Sequence, residues 1–491
     1  MINEKLAVVR HQAFDNVTLH LPIEWRMDPF QSKSWQHHFM SLRWINPEIL
    51  GENLLTVLRS FYNFHCVKEI NNPYYNNLRG DHTATIRLQQ LITFRRYYES
   101  KDDVPGVGLC NRLIIRDIAN LQSPTMYRAG HNHGLMADIA LLDLYEADHR
   151  YRPKINKEKI LERGINTLKQ MFDPTGITRE HSVSYQEHNY PLARDFLKHY
   201  TSLKGNSAYA PALTSNTRQL LAFALRDCGE YFPLGDSFRQ PNNSILSACT
   251  EIKESDKVRE QIGKEGNRLY CAGGMFFYKR KSTANTNLHF AATCAWNSHN
   301  HKQDDELSFC LEINGKMLFD DVGYTVYRNN LDTKLRDADA HNTVTIMGES
   351  FCDRTEYAQG SALVEWEETA SGFHLLAKHE RIKGYEIKRQ FRLSNNTLDV
   401  EDTIQSSSEK QFTSIHTFIL NPKIEPKVTS NFADLICEGR LIARISAPAH
   451  QGKWDTAEQI YVGTNRFEYI HTRKLRFLQS GDKTVPFKIE F

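Results

Sequence analysis

The sequence predicts an α+β, multidomain chain: a helical region over residues 1–262 followed by an antiparallel β region over residues 263–491. Three observations predict it. Apolar residues recur with helical spacing through the first half, short β-branched and aromatic runs fill the second, and turn residues join those runs in pairs. At 491 residues the chain exceeds one ordinary core.

Helical spacing marks residues 35–42, 84–94, 135–142, 155–172, 216–225 and 243–252, with polar connections between them. Successive helices of this kind imply a curved helical array. The charged stretch 254–265, with Gly263 near its end, sets the boundary. Beyond it, residues 275–278, 288–292, 343–346 and 373–377 read as strands. Residues 309–313 and 317–319 flank Asn314-Gly315, the signature of a type I′ hairpin. Residues 385–393 and 398–402 flank Asn395-Asn396 and form a second hairpin, so this half reads as a layered sandwich.

The net charge of +2 gives no field that would draw nucleic acid, although a local basic cleft would still attract an acidic polysaccharide. Nine cysteines are scattered without a Cys-x-x-Cys pair, which argues against a disulfide framework and a cysteine zinc site. No apolar run has the length of a membrane span. Residues 1–14 alternate charged and apolar and lack a leader's apolar core, so the expectation is a cytoplasmic chain, or a periplasmic or secreted one whose leader was removed. Aromatics make up 11%, more than enough for a core and for sugar stacking, with core the commoner use.

Three stretches concentrate chemistry. Residues 299–309, His-Asn-His-Lys-Gln-Asp-Asp-Glu-Leu-Ser-Phe, put two imidazoles and several carboxylates ahead of a strand. Gly130-His131-Asn132-His133-Gly134 places Asn132 and His133 at the start of a helix. Glu180-His181-Ser182-Val183-Ser184-Tyr185 precedes another helical pattern. Each has a plain structural use, as a solvated turn, a cap or a packed aromatic respectively.

With Gly235-Asp236-Ser237, Asp321-Val322-Gly323 and His341-Asn342-Thr343-Val344, these stretches occur in an order that resembles the heparinase II/III family of polysaccharide lyases. The resemblance implies an N-terminal (α/α) incomplete toroid joined to a C-terminal antiparallel β-sandwich. It also implies β-elimination at a uronic acid. There Asn132 and His133 would neutralise the carboxylate, while Tyr185 and His301 would share the proton transfers. Arg87, Arg128 and Arg336 are candidate contacts for acidic groups. Tyr327 lies in the loop where alginate-cleaving relatives keep a catalytic tyrosine.

The resemblance implies no cofactor for the chemistry itself, but a structural divalent metal, zinc or calcium, in many relatives. Asp321 and His341 resemble two of its ligands, and Gln303 stands where the family places another histidine. A weaker metal, recruitment of His299, and a hydrogen-bonded version without metal all stay open. Gln186 also replaces a histidine found in many relatives. The expected partner is an acidic polysaccharide or oligosaccharide, with neither nucleic acid nor membrane. A glycan-binding protein without turnover, and a hydrolase using Asp236 and Glu180, are the alternatives.

Overall fold

The structure, a computed structural model, describes all residues except 1–4, 69–79, 208, 242–259, 283–285, 326–329, 355–359, 409–410, 449, 466–467 and 482. The expected helix at 243–252 therefore lies outside the described residues, as does much of the charged stretch 254–265. Packing forms two compact units. One comprises Met1–Met171 with Leu192–Ser207, the other Phe172–Pro191 with Ala208–Phe491.

The first unit opens with an antiparallel ribbon, Lys5–His11 with Phe14–His20, so the alternation at the N-terminus is that of a strand. Its helices include Lys33–Met40, Asn53–Tyr62, Asp81–Glu99, Val104–Gln122, Asn132–Ala147 and Lys157–Met171. Ser32 starts the first by accepting the Trp35 N–H, and Trp35 is thereby fixed in the core, stacked on Phe39. Leu54, Val57, Leu58 and Phe61 bury one face of the second helix.

Arg87 departs from its expected role. Its guanidinium is fully buried, donating to Asp117 through Nε (2.8 Å) and Nη2 (2.6 Å) and to the Met40 carbonyl through Nη1 (3.1 Å). A bidentate pair of this kind ties two helices together and offers a sugar nothing.

The second unit is built on three antiparallel sheets. Eight strands are ordered Ile424–Val428, Phe432–Cys437, Arg440–Ser446, Thr484–Glu490, Thr397–Ser406, Tyr385–Ser394, Gly372–Ile382 and Ala362–Thr369. Five are ordered Gly266–Ala272, Met275–Lys281, Leu288–Thr293, Ser308–Ile313 and Lys316–Phe319. Four are ordered Gly452–Val462, Tyr469–Ser480, Thr413–Ile419 and Val344–Ile346. Both expected hairpins are present, and Asn314 and Gly315 take positive φ (48° and 76°), as a type I′ turn requires.

One core joins the three sheets through Phe276, Phe290, Phe309, Phe391, Phe418 and Phe487. The opposite face of the five-stranded sheet is covered too, by Ile177, Val183, Leu220, Phe223 and Phe232 against Phe277, Ala291 and Cys310. Coverage on both faces explains why Leu288–Thr293 and Ser308–Ile313 are buried at every position. Asn342 stitches the layers. Its Nδ2 donates to the Phe309 (2.5 Å) and Asp320 (2.8 Å) carbonyls, and its Oδ1 accepts the Ile419 N–H.

The charged run after His301 is not a solvated turn. Lys302, Asp304, Asp305 and Glu306 are all buried. Lys302 Nζ donates to Asp305 (2.6 Å) and lies 3.2 Å from Glu306. Arg381 reaches Glu306 and Asp304, each at 2.8 Å, and Arg354 reaches Asp304 at 2.7 Å. Burial works against the Lys302 charge, but Asp305 and Glu306 outweigh it and hold the ammonium above its ordinary range.

Candidate functional site

In the second unit, two short segments interlock to present a histidine and a tyrosine. Ser182 Oγ accepts the Tyr185 N–H (3.3 Å) at the start of the helix Val183–Lys204, and Ser237 Oγ accepts the Val183 N–H (2.9 Å). Ser184 Oγ then accepts the Phe238 N–H (2.9 Å). Gly235 has φ +58°, and a Cβ there would lie 2.1 Å from the His181 carbonyl oxygen, so only glycine fits. This approach delivers Asp236, fully buried, to His301.

His301 is fixed from three sides. Its Nδ1 lies 3.0 Å from Asp236 Oδ2 and its Nε2 lies 3.3 Å from Glu180 Oε2. The Tyr185 ring stacks on its face, with centroids 3.6 Å apart and an interplanar angle of 23°. Asn189 Nδ2 donates to Glu180 Oε1 (3.1 Å), and Gln303 Nε2 donates to Asp236 Oδ1 (2.7 Å), so each carboxylate is held in turn. His301 itself takes a left-handed φ of 56°. Arg336 Nη2 lies 3.5 Å from Asp236 Oδ2 and donates to the Lys302 carbonyl (3.0 Å), so this guanidinium faces the protein's own groups.

His181 is a structural member of the same cluster. Its buried Nε2 accepts the Asn297 (3.1 Å) and Ser298 (3.3 Å) N–H groups, and burial, helped by the Lys302 charge, pushes its pKa down to about 4.

In the first unit, Asn132 and His133 open the helix Asn132–Ala147, with His131 Nδ1 accepting the His133 N–H (3.1 Å) as its cap. Gly134 permits this turn, since a Cβ would lie 2.2 Å from the Arg128 carbonyl oxygen. Asn132 is buried, whereas His133 is partly exposed and belongs to a stack of imidazoles. His37 and His82 are 4.3 Å apart, and His82 and His133 4.4 Å. Asp81 is the nearby carboxylate, 3.6 Å from His133 Nδ1 and 3.7 Å from Nε of the exposed Arg128. Burial first, and neighbouring cations second, push His37 down to about 4 and His82 to about 3.

Residues 277–481 match the model of the heparinase II/III-like C-terminal family. This part of the chain is a heparinase II/III-like domain. The chain as a whole resembles a crystal structure of heparinase III (15% identity, TM-score 0.73, covering 98% of this chain and 79% of that one). It also resembles a heparan sulfate lyase from Pedobacter heparinus (15%, 0.67, 98% and 80%). A chondroitinase AC lyase is more distant (8%, 0.50, 93% and 75%). At these identities the likeness is one of fold: a helical N-terminal region of the lyase toroid kind followed by antiparallel sheets. No curated protein matches the sequence.

Within the heparinase II/III-like domain, Asp321 and His341 are buried and bonded to each other, Oδ2 to Nδ1 at 2.8 Å. Asp321 Oδ1 accepts the Gly323 N–H (3.2 Å). Gln303 turns its NH₂ group toward Asp236, which leaves His341 Nε2 and Gln303 Oε1 as buried atoms with no hydrogen-bond partner. Even with the Asp321 carboxylate counted, one imidazole nitrogen and one amide oxygen fall short of the four strong donors of a structural zinc site. Among the described residues, no three His, Cys, Asp or Glu side chains converge on a metal-binding position. The donor set does not fit a structural zinc, one of the two metals that the resemblance implies.

Tyr327 lies outside the described residues. Gln186 is a loop pin, since its Oε1 accepts the Thr178 N–H (2.6 Å) and its Nε2 donates to the Gly176 carbonyl (3.1 Å) and to Thr217 (2.6 Å). Asp81, His37 and His181 were not singled out from the sequence. Their partners are tens of residues away or main-chain groups, and no local pattern marks them. None of the described helices is long and apolar enough to cross a membrane, and the described cysteines are free.

Proposed function

We propose that this chain is a polysaccharide lyase that cleaves a uronic-acid-containing polysaccharide, a glycosaminoglycan, alginate or bacterial exopolysaccharide, by β-elimination. The observation that carries the reading is the Tyr185–His301 stack, with both imidazole nitrogens facing carboxylates. β-Elimination breaks the C5–H bond, moves that electron pair into a C4–C5 double bond, and expels the C4 oxygen, which takes up a proton. It needs one group to remove a proton and one to supply it. A phenol and an imidazole in face contact provide the two.

In this reading Asp236, 3.0 Å from Nδ1, orients the ring, and Nε2, whose contact with Glu180 is longer at 3.3 Å, is the nitrogen that exchanges the proton. Removal of the C5 proton also requires neutralisation of the uronate carboxylate, a role the resemblance gives Asn132 and His133. The hydrolase reading needs Asp236 and Glu180 as acid and base, yet both carboxylates face the same imidazole, which argues for positioning instead.

The test is ultraviolet absorbance of an unsaturated uronate during incubation with a panel of uronans. A rise that Tyr185→Phe abolishes supports the reading. Chain shortening with saturated ends would replace it with hydrolysis, and saturable binding without cleavage would replace it with a glycan-binding role.

A further inference from the structure

We infer that Gln303 is a positioning residue that does by hydrogen bonding what a metal ligand would otherwise do, so that His301 is held in place without a metal. The inference rests partly on the proposed function, because it assigns Gln303 a role in the same site. Its physical content concerns a metal and an imidazole, both measurable without turnover.

Lys302 on one side of Gln303 and Asp304 to Glu306 on the other are buried in ion pairs with one another and with Arg381 and Arg354, so the main chain at 303 has little freedom. Gln303 is itself fully buried. From this anchored position its Nε2 donates to Asp236 Oδ1 at 2.7 Å, and the other oxygen of Asp236 lies 3.0 Å from His301 Nδ1. A carboxylate gripped at one oxygen by an amide and at the other by an imidazole cannot rotate without breaking both contacts. The orientation of His301 is thereby tied to the backbone at Gln303.

Of the remaining residues expected to hold a metal, His341 and Asp321 are bonded to each other through Nδ1, which leaves His341 Nε2 as one ring nitrogen open to a ligand. His341 Nδ1 and Asp321 Oδ2 form a closed pair, and the second oxygen of Asp321 is taken by a backbone N–H. Glutamine at 303 brings an N–H donor that suits a carboxylate and, beside it, an amide oxygen that is a poorer zinc ligand than imidazole.

The test uses the full-length protein. Elemental analysis after purification in zinc-supplemented buffer is expected to find far less than one zinc per chain, with the melting temperature unchanged by a chelator. Stoichiometric zinc whose removal lowers the melting temperature overturns the inference, whatever reaction the protein performs. Gln303→Leu is expected to move the His301 imidazole ¹⁵N resonances, assigned by their loss in His301→Gln, and to lower kcat about ten- to a hundredfold with KM little changed. If Gln303→Leu does not fold, Gln303→Asn, which keeps the amide on a shorter arm, takes its place, with a smaller displacement of the same resonances expected. Unmoved His301 resonances in a folded Gln303 variant overturn the positioning role. Failure of the lyase reading alone leaves the zinc and resonance measurements as they are.

Discussion

The imidazole of His301 and the imidazoles of His37, His82 and His133 sit in opposite electrostatic company. His301, in the second unit, faces one carboxylate at each ring nitrogen and a phenol on its face. In the first unit three rings lie on one another and Asp81 is the carboxylate beside them, so burial first, then Arg43 and the neighbouring imidazoles, drive His37 down to about 4, and burial with the neighbouring imidazoles drives His82 to about 3. His199 makes the contrast within one unit. Asp143 lies 3.0 Å from its Nε2 and Glu146 3.1 Å from its Nδ1, and its pKa is raised despite burial. At His199 the two carboxylates outweigh burial, and an acid at each ring nitrogen commits a ring to one orientation.

The largest expected effect tests whether the His301 cluster is chemically different from the stack. Tyr185→Phe removes one oxygen and leaves the ring contact, so turnover should fall by about a hundred- to ten-thousandfold with the unfolding midpoint unchanged. Equal activity would make Tyr185 a packing residue, like the stacked histidines. Next comes the ion-pair run that supports the cluster. Arg381→Met leaves Glu306 and Asp304 short of a partner in a buried site, and urea unfolding should show a loss of about 3–5 kcal/mol. A loss below about 1 kcal/mol would mean that Lys302 and Arg354 suffice.

The third test concerns pH. His181 and His379 are pushed down to about 4, and His289 to about 3, chiefly by burial. They are neutral in the folded chain and take up protons when it unfolds. Their contribution is therefore complete above the ordinary histidine value of about 6.5 and is lost as pH falls toward 4, by about 1.4 kcal/mol per pH unit for each ring. Urea midpoints measured from pH 7 to pH 4.5 should fall steadily, and a flat series would contradict neutral burial.

A smaller effect separates Gln186 from the site: Gln186→Leu should cost about 1–3 kcal/mol by orphaning the Thr178 N–H, with the substrate preference unchanged. The smallest lies in the stack. His133→Gln removes one of the neighbours that lower His37, whose titration, followed by NMR, should move upward by a fraction of a unit.

Much of the fold was legible in the sequence, and for local reasons. Asn314-Gly315 and Asn395-Asn396 announce hairpins because a type I′ turn needs residues that tolerate positive φ, and the helix from Asn132 shows its apolar face within two turns. The helix Val104–Gln122 was hidden by Pro105, Gly106 and Gly108, which read as breakers although Asp103 caps the end they occupy. The N-terminal ribbon was visible as alternation but was weighed only against a leader. Long-range pairing was illegible. Nothing near Arg87 points to Asp117, and nothing near Lys302 to Glu306 points to Arg381, so a buried guanidinium looked like a sugar contact and a buried ion-pair run looked like a wet turn. Tyr185 and His301 came from family resemblance. Their face contact, and the two carboxylates on one imidazole, needed three dimensions.

The Asn342 side chain imitates a strand, giving its amide hydrogens to carbonyls at Phe309 and Asp320 and its oxygen to the N–H of Ile419. Because one residue terminates bonds from two sheets, neither sheet can fray alone at that point. The amides of Phe309 and Ile419 should therefore exchange with solvent deuterium at a common rate, set by opening of the whole sandwich. Asn342→Ala should uncouple them, and proteolytic nicking should then begin between the layers while the outer hairpins stay intact.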